Sequence, residues 1–150
     1  MITARARFDA AYPDALALYC SDGRFTDAIE ELLHGLGFPR LDTLTLPGGP
    51  ALVELTSSSL AANEVARSSL SFLVTAHHLK HVVLVAHASC GYYKHRFAYE
   101  SPEAMLRRQY ADLRGAARWV RGQHAGVAVS AFYARTEGAV VTFEDVGEPG

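Results

Sequence analysis

His81-Val82-Val83-Leu84-Val85-Ala86 runs without a break into His87-Ala88-Ser89-Cys90-Gly91, and no other segment constrains the architecture so tightly. Its continuous, β-branched apolar character predicts a strand covered on both faces, as in parallel sheets. Upstream, Ala15-Leu16-Ala17-Leu18-Tyr19 is a second short apolar run, ending in Cys20-Ser21-Asp22-Gly23-Arg24. Leu41 to Leu46 alternates apolar with polar residues and reads as another strand, broken by Pro47-Gly48-Gly49-Pro50. Helical periodicity separates these runs. Phe25, Ile29, Leu32, Leu33 and Leu36 share one face, stopped by Gly35, Gly37 and Pro39. After the polar stretch Ser57 to Ser59, a second stripe of Val65, Ser69, Phe72, Leu73 and Ala76 extends to about His78.

Downstream, a third helix starts after Pro102, with Leu106, Tyr110, Leu113, Ala117 and Val120 as its buried stripe and Gly122 and Gly126 as its stop. Val127 to Tyr133 and Ala139 to Phe143 read as strands joined near Glu137-Gly138, a terminal hairpin. Strands alternating with helices predict an α/β fold: a single domain over 1–150, its mainly parallel central sheet flanked by helices, with a C-terminal antiparallel hairpin. Residues 1–14 read as an N-terminal arm and 147–150 as a flexible tail.

The composition narrows the function. With 150 residues, 49% of them hydrophobic, the chain can bury a substantial core and is not a disordered segment. Fourteen basic against sixteen acidic residues leave a net charge of -2, without the cationic surplus of a general nucleic-acid or membrane-surface binder. No apolar run has the length of a membrane span, and Met1 to Arg7 lacks the apolar core of a secretion signal, so a cytoplasmic location is expected.

Two cysteines are too few for a disulfide scaffold, and a reducing cytosol disfavours a bridge. Cys20 and Cys90 are each a buried thiol, a reactive thiol or a metal ligand. Cys20 and the pair His87/Cys90 both lie just past the carboxyl end of an expected buried strand, where open parallel sheets place their ligand crevice. If those strands are neighbours, two sulfurs and an imidazole converge. That is a good donor set for zinc, with a fourth position left open for water.

Together with Asp22 and Arg24, these residues resemble the β-class carbonic anhydrases. The two signatures of that family, Cys-x-Asp-x-Arg and His-x-x-Cys-Gly, stand here as Cys20-Ser21-Asp22-Gly23-Arg24 and His87-Ala88-Ser89-Cys90-Gly91. The resemblance implies Zn²⁺ held by Cys20, His87 and Cys90, and reversible hydration of CO₂ to bicarbonate by a zinc-bound hydroxide that an Asp22–Arg24 dyad orients. A metal lowers the pKa of bound water from 15.7 towards about 7. An Asp22 kept ionised by Arg24 can only accept a hydrogen bond from that hydroxide. Without the Arg24 pairing, Asp22 becomes a possible fourth zinc ligand in a closed state. The family also implies a homodimer or higher homo-oligomer, for which Leu44, Leu46 and Phe97 are candidate contacts.

The chain departs from the family pattern in a short amino-terminal extension, an arm that in the family often wraps a partner subunit, and at three further places. Ala11 stands where active members usually carry a glutamine, Thr45-Leu46-Pro47-Gly48-Gly49-Pro50 replaces an Arg-Asn-Ala-Gly type segment, and Tyr92 replaces a second glycine after Gly91. These leave two alternatives open: a non-catalytic zinc-binding relative, or a zinc hydrolase of small sulfur analogues of CO₂. For single residues plainer roles compete. The plainer alternative for Asp22 and Arg24, a minority reading, is a helix cap and its surface partner. His34, His77, His78, His81, His95 and His124 read as solvent-facing or capping, with His95 also placed to relay protons. Tyr92 and Tyr93 line a crevice or pack. Arg114, Arg118 and Arg121 form a solvated stripe. Gly48 and Gly49 serve a turn, or offer amides to an anion.

Overall fold

The computed structural model describes residues 1–147. Of the tail expected over 147–150, residues 148–150 lie outside that range. Five strands form one sheet: β1 (Ala15–Cys20), β2 (Asp42–Leu46), β3 (His81–His87), β4 (Ala128–Glu137) and β5 (Val140–Asp145), in the order β2-β1-β3-β4-β5. All pairings are parallel except the β4–β5 hairpin. Four α-helices connect them: α1 (Thr26–Gly35), α2 (Leu60–Ala76), α3 (Gly91–Arg96) and α4 (Pro102–Gln123). The expected single-domain α/β architecture is thus present, with β1 and β3 side by side at its centre.

Strand pleating divides the core in two. Leu16 and Leu18 of β1 and Val82, Leu84 and Ala86 of β3 pack against α2 and α4 through Leu70, Val74, Leu113, Ala116 and Val120. Ala17, Tyr19, Val83 and Val85 point the other way, onto Phe25 and onto Ile29 and Leu33 of α1. Both central strands are therefore buried on both faces, which accounts for their unbroken apolar runs. Ser59 and Ser101 cap α2 and α4 by accepting the amides of Ala62 and Ala104.

Several expectations need correction. In α2 the buried residues are Asn63, Ala66, Leu70 and Val74, whereas Val65 and Phe72 of the expected stripe are 53% and 66% exposed. Both sides of this helix carry apolar residues, and polar anchors select between them. The Asn63 amide donates to the carbonyls of Leu52 and Val53, and Arg67 Nε also donates to Val53. In α4, Gln109 and Asp112 are buried while Leu106 and Tyr110 are only half-buried. The hairpin strands run on to Glu137 and Asp145, beyond their expected ends, because Arg135–Thr142 and Glu137–Val140 pairing continues to the turn. A 3₁₀ turn over Gly49–Val53 and the short α3 were not anticipated; each is too short to show a helical period. Leu44, Leu46 and Phe97, expected as surplus apolar surface, are half-buried in their own chain.

Candidate metal centre

Cys20 closes β1 and His87 closes β3, and Cys90 lies at the entry to α3. Because β1 and β3 are hydrogen-bonded neighbours, the ends of both strands meet at one rim of the sheet. One sulfur of Cys20, one of Cys90 and a ring nitrogen of His87 all lie within 4.8 Å of one another, and all three residues are buried. The two sulfurs are 3.8 Å apart.

The imidazole is prepared by its surroundings. His87 Nδ1 lies 2.8 Å from the carbonyl of Ala88, which can only accept, so Nδ1 carries the proton. Nε2 is then an unprotonated lone pair, and it is buried with no hydrogen-bond partner. An orphaned acceptor in a site this dry is costly. Phe25 lies against the ring, with centroids 4.2 Å apart. Gln109 Nε2 donates to the His87 carbonyl at 3.0 Å.

The sulfurs differ. Cys20 is held below the usual thiol range, first by the hydrogen bond from Cys90 and further by the amides of Gly48 and Asp22, against the opposing effect of burial. The Gly48 amide donates to Cys20 Sγ at 3.4 Å. Cys90 is pushed up, by that shared bond and by burial, so the pair keeps one proton between them. Two sulfurs and a bare imidazole nitrogen fit a thiophilic metal ion.

Beside this cluster Asp22 and Arg24 form a two-pronged pair, with Arg24 Nη2–Asp22 Oδ2 at 2.6 Å and Nε–Oδ1 at 2.9 Å, and the Arg24 amide also donates to Oδ1. The guanidinium holds the Asp22 carboxyl down at about 2. Asp22 Oδ2 is 4.0 Å from His87 Nε2. This ion pair lies next to the cluster.

The sites of departure take definite positions. Gly48 and Gly49 adopt left-handed backbones, φ 88° and 50°, and so fold the chain back onto Cys20. The expected turn and the expected amide donor are thus both found at Gly48, with the sulfur as acceptor. Tyr92 covers this turn, its hydroxyl donating to the Ser57 carbonyl at 2.7 Å. Tyr93 is buried and donates to Asp112 Oδ2 at 2.6 Å. Ala11 lies on the exposed arm, its carbonyl accepting from Arg40. A cavity of about 500 Å³ opens beside the Gly48 turn, lined by Leu46, Pro47, Leu52, Ala62, Val65 and Tyr92.

The other histidines have structural or surface positions. His77 pairs with Asp42 at 2.5 Å and stacks on Tyr12, while His81 and His124 bond Ser130 and Ser71. His34, His78 and His95 are exposed, as are Arg114, Arg118 and Arg121. Sequence reasoning missed Phe25, Gln109 and Asp112 as neighbours of the site. Gln109 and Asp112 left one faint signal, two polar residues spaced three apart within an apolar stripe.

A parallel sheet with a Cys-His-Cys cluster at the ends of its two central strands defines a domain with the β-carbonic anhydrase fold. Solved structures that resemble it include several carbonic anhydrases. The β-carbonic anhydrase CafA of Aspergillus fumigatus is 17% identical over 93% of this chain and 78% of its own, with a TM-score of 0.53. A tetrameric β-carbonic anhydrase of Sordaria macrospora is 13% identical over 92% and 82%, with a TM-score of 0.58. The carbonic anhydrase of Streptococcus mutans is 14% identical over 96% and 88%, with a TM-score of 0.56. No family model matches the sequence, and no curated protein matches it. Among the described residues, no helix is long and apolar enough to cross a membrane.

Proposed function

We infer that the protein is a divergent β-class carbonic anhydrase that interconverts CO₂ and bicarbonate. The observation that carries this reading is the buried, partnerless Nε2 of His87, set between two cysteine sulfurs and the clamped Asp22. Cys20 Sγ, His87 Nε2 and Cys90 Sγ would hold Zn²⁺, which when bound supplies a Lewis acid that acidifies water to a nucleophile near neutral pH. The chain's own residues do the rest. Arg24 keeps Asp22 ionised, so the carboxylate accepts a hydrogen bond from the nucleophilic oxygen and turns a lone pair towards carbon. Phe25 excludes water from one face of the imidazole. A cavity of about 290 Å³ lined by Arg24, Phe25, Ala88, Ser89 and Val141 borders the site and is large enough for a small substrate such as CO₂.

Stopped-flow hydration of CO₂ by zinc-loaded protein tests the activity. The expected result is a rate well above buffer that Asp22→Ala abolishes while zinc content is retained, and that Cys20→Ser abolishes together with the zinc. One observation favours a second reading, a zinc-binding relative without turnover: Ala11, in the place of a substrate-positioning glutamine, has no polar side chain to offer. Stoichiometric zinc with no hydration would support it. Carbonyl sulfide or carbon disulfide as substrate separates the third reading, hydrolysis of sulfur analogues. We further propose a homo-oligomer in a reducing, cytoplasmic setting, the former supported by the tetrameric neighbour and tested by sedimentation.

A further inference from the structure

Two polar side chains of α4, Gln109 and Asp112, are each 4% exposed, although this helix face otherwise packs apolar residues into the core. A buried carboxyl and a buried amide destabilise a fold unless their bonds are fully made. Both residues spend their bonds on the segment His87 to Tyr93, which carries two of the three candidate ligands. Gln109 Nε2 donates to the His87 carbonyl at 3.0 Å, at the point where β3 ends. Its own Oε1 accepts from the Tyr133 hydroxyl at 3.1 Å, so the amide cannot turn over without losing both bonds. One helical turn on, Asp112 Oδ2 accepts from the Tyr93 hydroxyl at 2.6 Å. Tyr93 is 1% exposed and lies in the first turn of α3, three residues after Cys90.

The segment is thus gripped on both sides of its irregular stretch. Gln109 holds the residue that supplies the imidazole, and Asp112 holds the short helix that begins directly after Cys90. Between the grips lies Ser89, in a left-handed backbone with φ 58°, a conformation unfavourable for a residue with a side chain. A loop held in that state needs anchors, and α4 provides them.

We propose that Gln109 and Asp112 are positioning residues, which fix His87 and Cys90 in ligating geometry through the His87 carbonyl and the Tyr93 hydroxyl. The proposal rests on the metal reading of the cluster and assigns that site a supporting shell on α4. Partners of this kind typically change metal affinity by about 10- to 100-fold when removed.

The test uses Co²⁺ as a spectroscopic probe on the full chain, with affinity measured by chelator competition and folding by circular dichroism. Gln109→Met keeps the length of the side chain but removes the amide. It is expected to weaken Co²⁺ binding by about 10-fold or more and to shift the ligand-field bands. Asp112→Leu is expected to do the same. Asp112→Asn keeps an acceptor for Tyr93 and is expected to restore wild-type bands and affinity. Tyr93→Phe keeps the ring and gives an independent reading if Asp112→Leu does not fold; its bands are expected to shift with those of Gln109→Met. Folded Gln109→Met and Tyr93→Phe variants with unchanged bands and affinity would overturn the proposal and leave the metal reading intact. A wild-type chain that takes up no Co²⁺, or shows no thiolate charge-transfer band, would overturn both.

Discussion

His87 Nε2 stands 4.0 Å from Asp22 Oδ2, so the imidazole donor and the clamped carboxylate face the same small volume. Arg24 is what keeps that carboxylate turned and ionised. In Arg24→Leu the carboxyl returns towards the ordinary range near about 4 and is free to rotate. Misplacement of a reacting group by about 1 Å costs roughly 10²-fold in rate, so a loss of that order in CO₂ hydration is expected. Metal analysis alongside the assay should find zinc unchanged, because Arg24 supplies no donor atom to the cluster.

The two glycines of the 47–50 turn should differ in tolerance. A Cβ at Gly48 would come within 2.6 Å of the Tyr92 ring, which can swing aside by giving up its bond to Ser57. A Cβ at Gly49 would come within 2.7 Å of the Tyr19–Cys20 peptide, which cannot move without breaking β1. Each alanine also incurs about 1–2 kcal/mol for the left-handed backbone. Urea unfolding is expected to show Gly49→Ala as the more destabilised variant, with Gly48→Ala also weakening metal retention by displacing the amide from Cys20.

Alkaline stability should fall through a definite window. Burial pushes the Tyr133 hydroxyl up to about 12, against 10.0 for the free side chain. As pH rises the unfolded chain therefore loses this proton first. The contribution of neutral Tyr133 is complete below about pH 10 and is lost as pH rises through about 12. Urea midpoints measured across that range should decline, and Tyr133→Phe should flatten part of the decline. Tyrosinate absorbance followed in parallel identifies the titrating groups.

The two faces of α2 make a direct comparison. Leu70 is fully buried against β1 and β3, and Leu70→Ala is expected to cost about 2–5 kcal/mol. Phe72, two residues on and 66% exposed, should tolerate serine within about 0.5 kcal/mol. Denaturant unfolding of both variants checks which stripe faces the core.

Metal removal should lower the melting temperature. The cluster is assembled only in the folded chain, so whatever binds there stabilises the native state by mass action. For a chain of this size each kcal/mol of that linkage moves Tm by about 2–4 °C. Thermal melts with and without a strong chelator are expected to differ, and His87→Ala should abolish the difference.

The sequence made the central sheet easy to read because β1 and β3 are buried on both faces and carry unbroken apolar runs, 15–19 and 82–86. It was less informative for α2, where Ala66, Leu70 and Val74 compete with Val65, Phe72 and Leu73 for the core. That choice depends on Asn63 meeting two carbonyls far away in the chain. The same holds at the site. Cys20, Asp22, Arg24, His87 and Cys90 stand out through spacing within short motifs. The contacts of Phe25, Gly48, Gln109 and Asp112 exist only once distant segments have packed together. Spacing within a motif is local, and hydrogen bonds between layers are not.

Cys20 and Cys90 are seventy residues apart in the chain and come together only because β1 and β3 zip side by side. Until His81–His87 has been synthesised and docked, a nascent polypeptide holds a single thiol with no cation trap around it. An ion that binds the cluster would therefore report closure of the β1–β3 contact, the pairing that spans most sequence in the parallel part of the sheet.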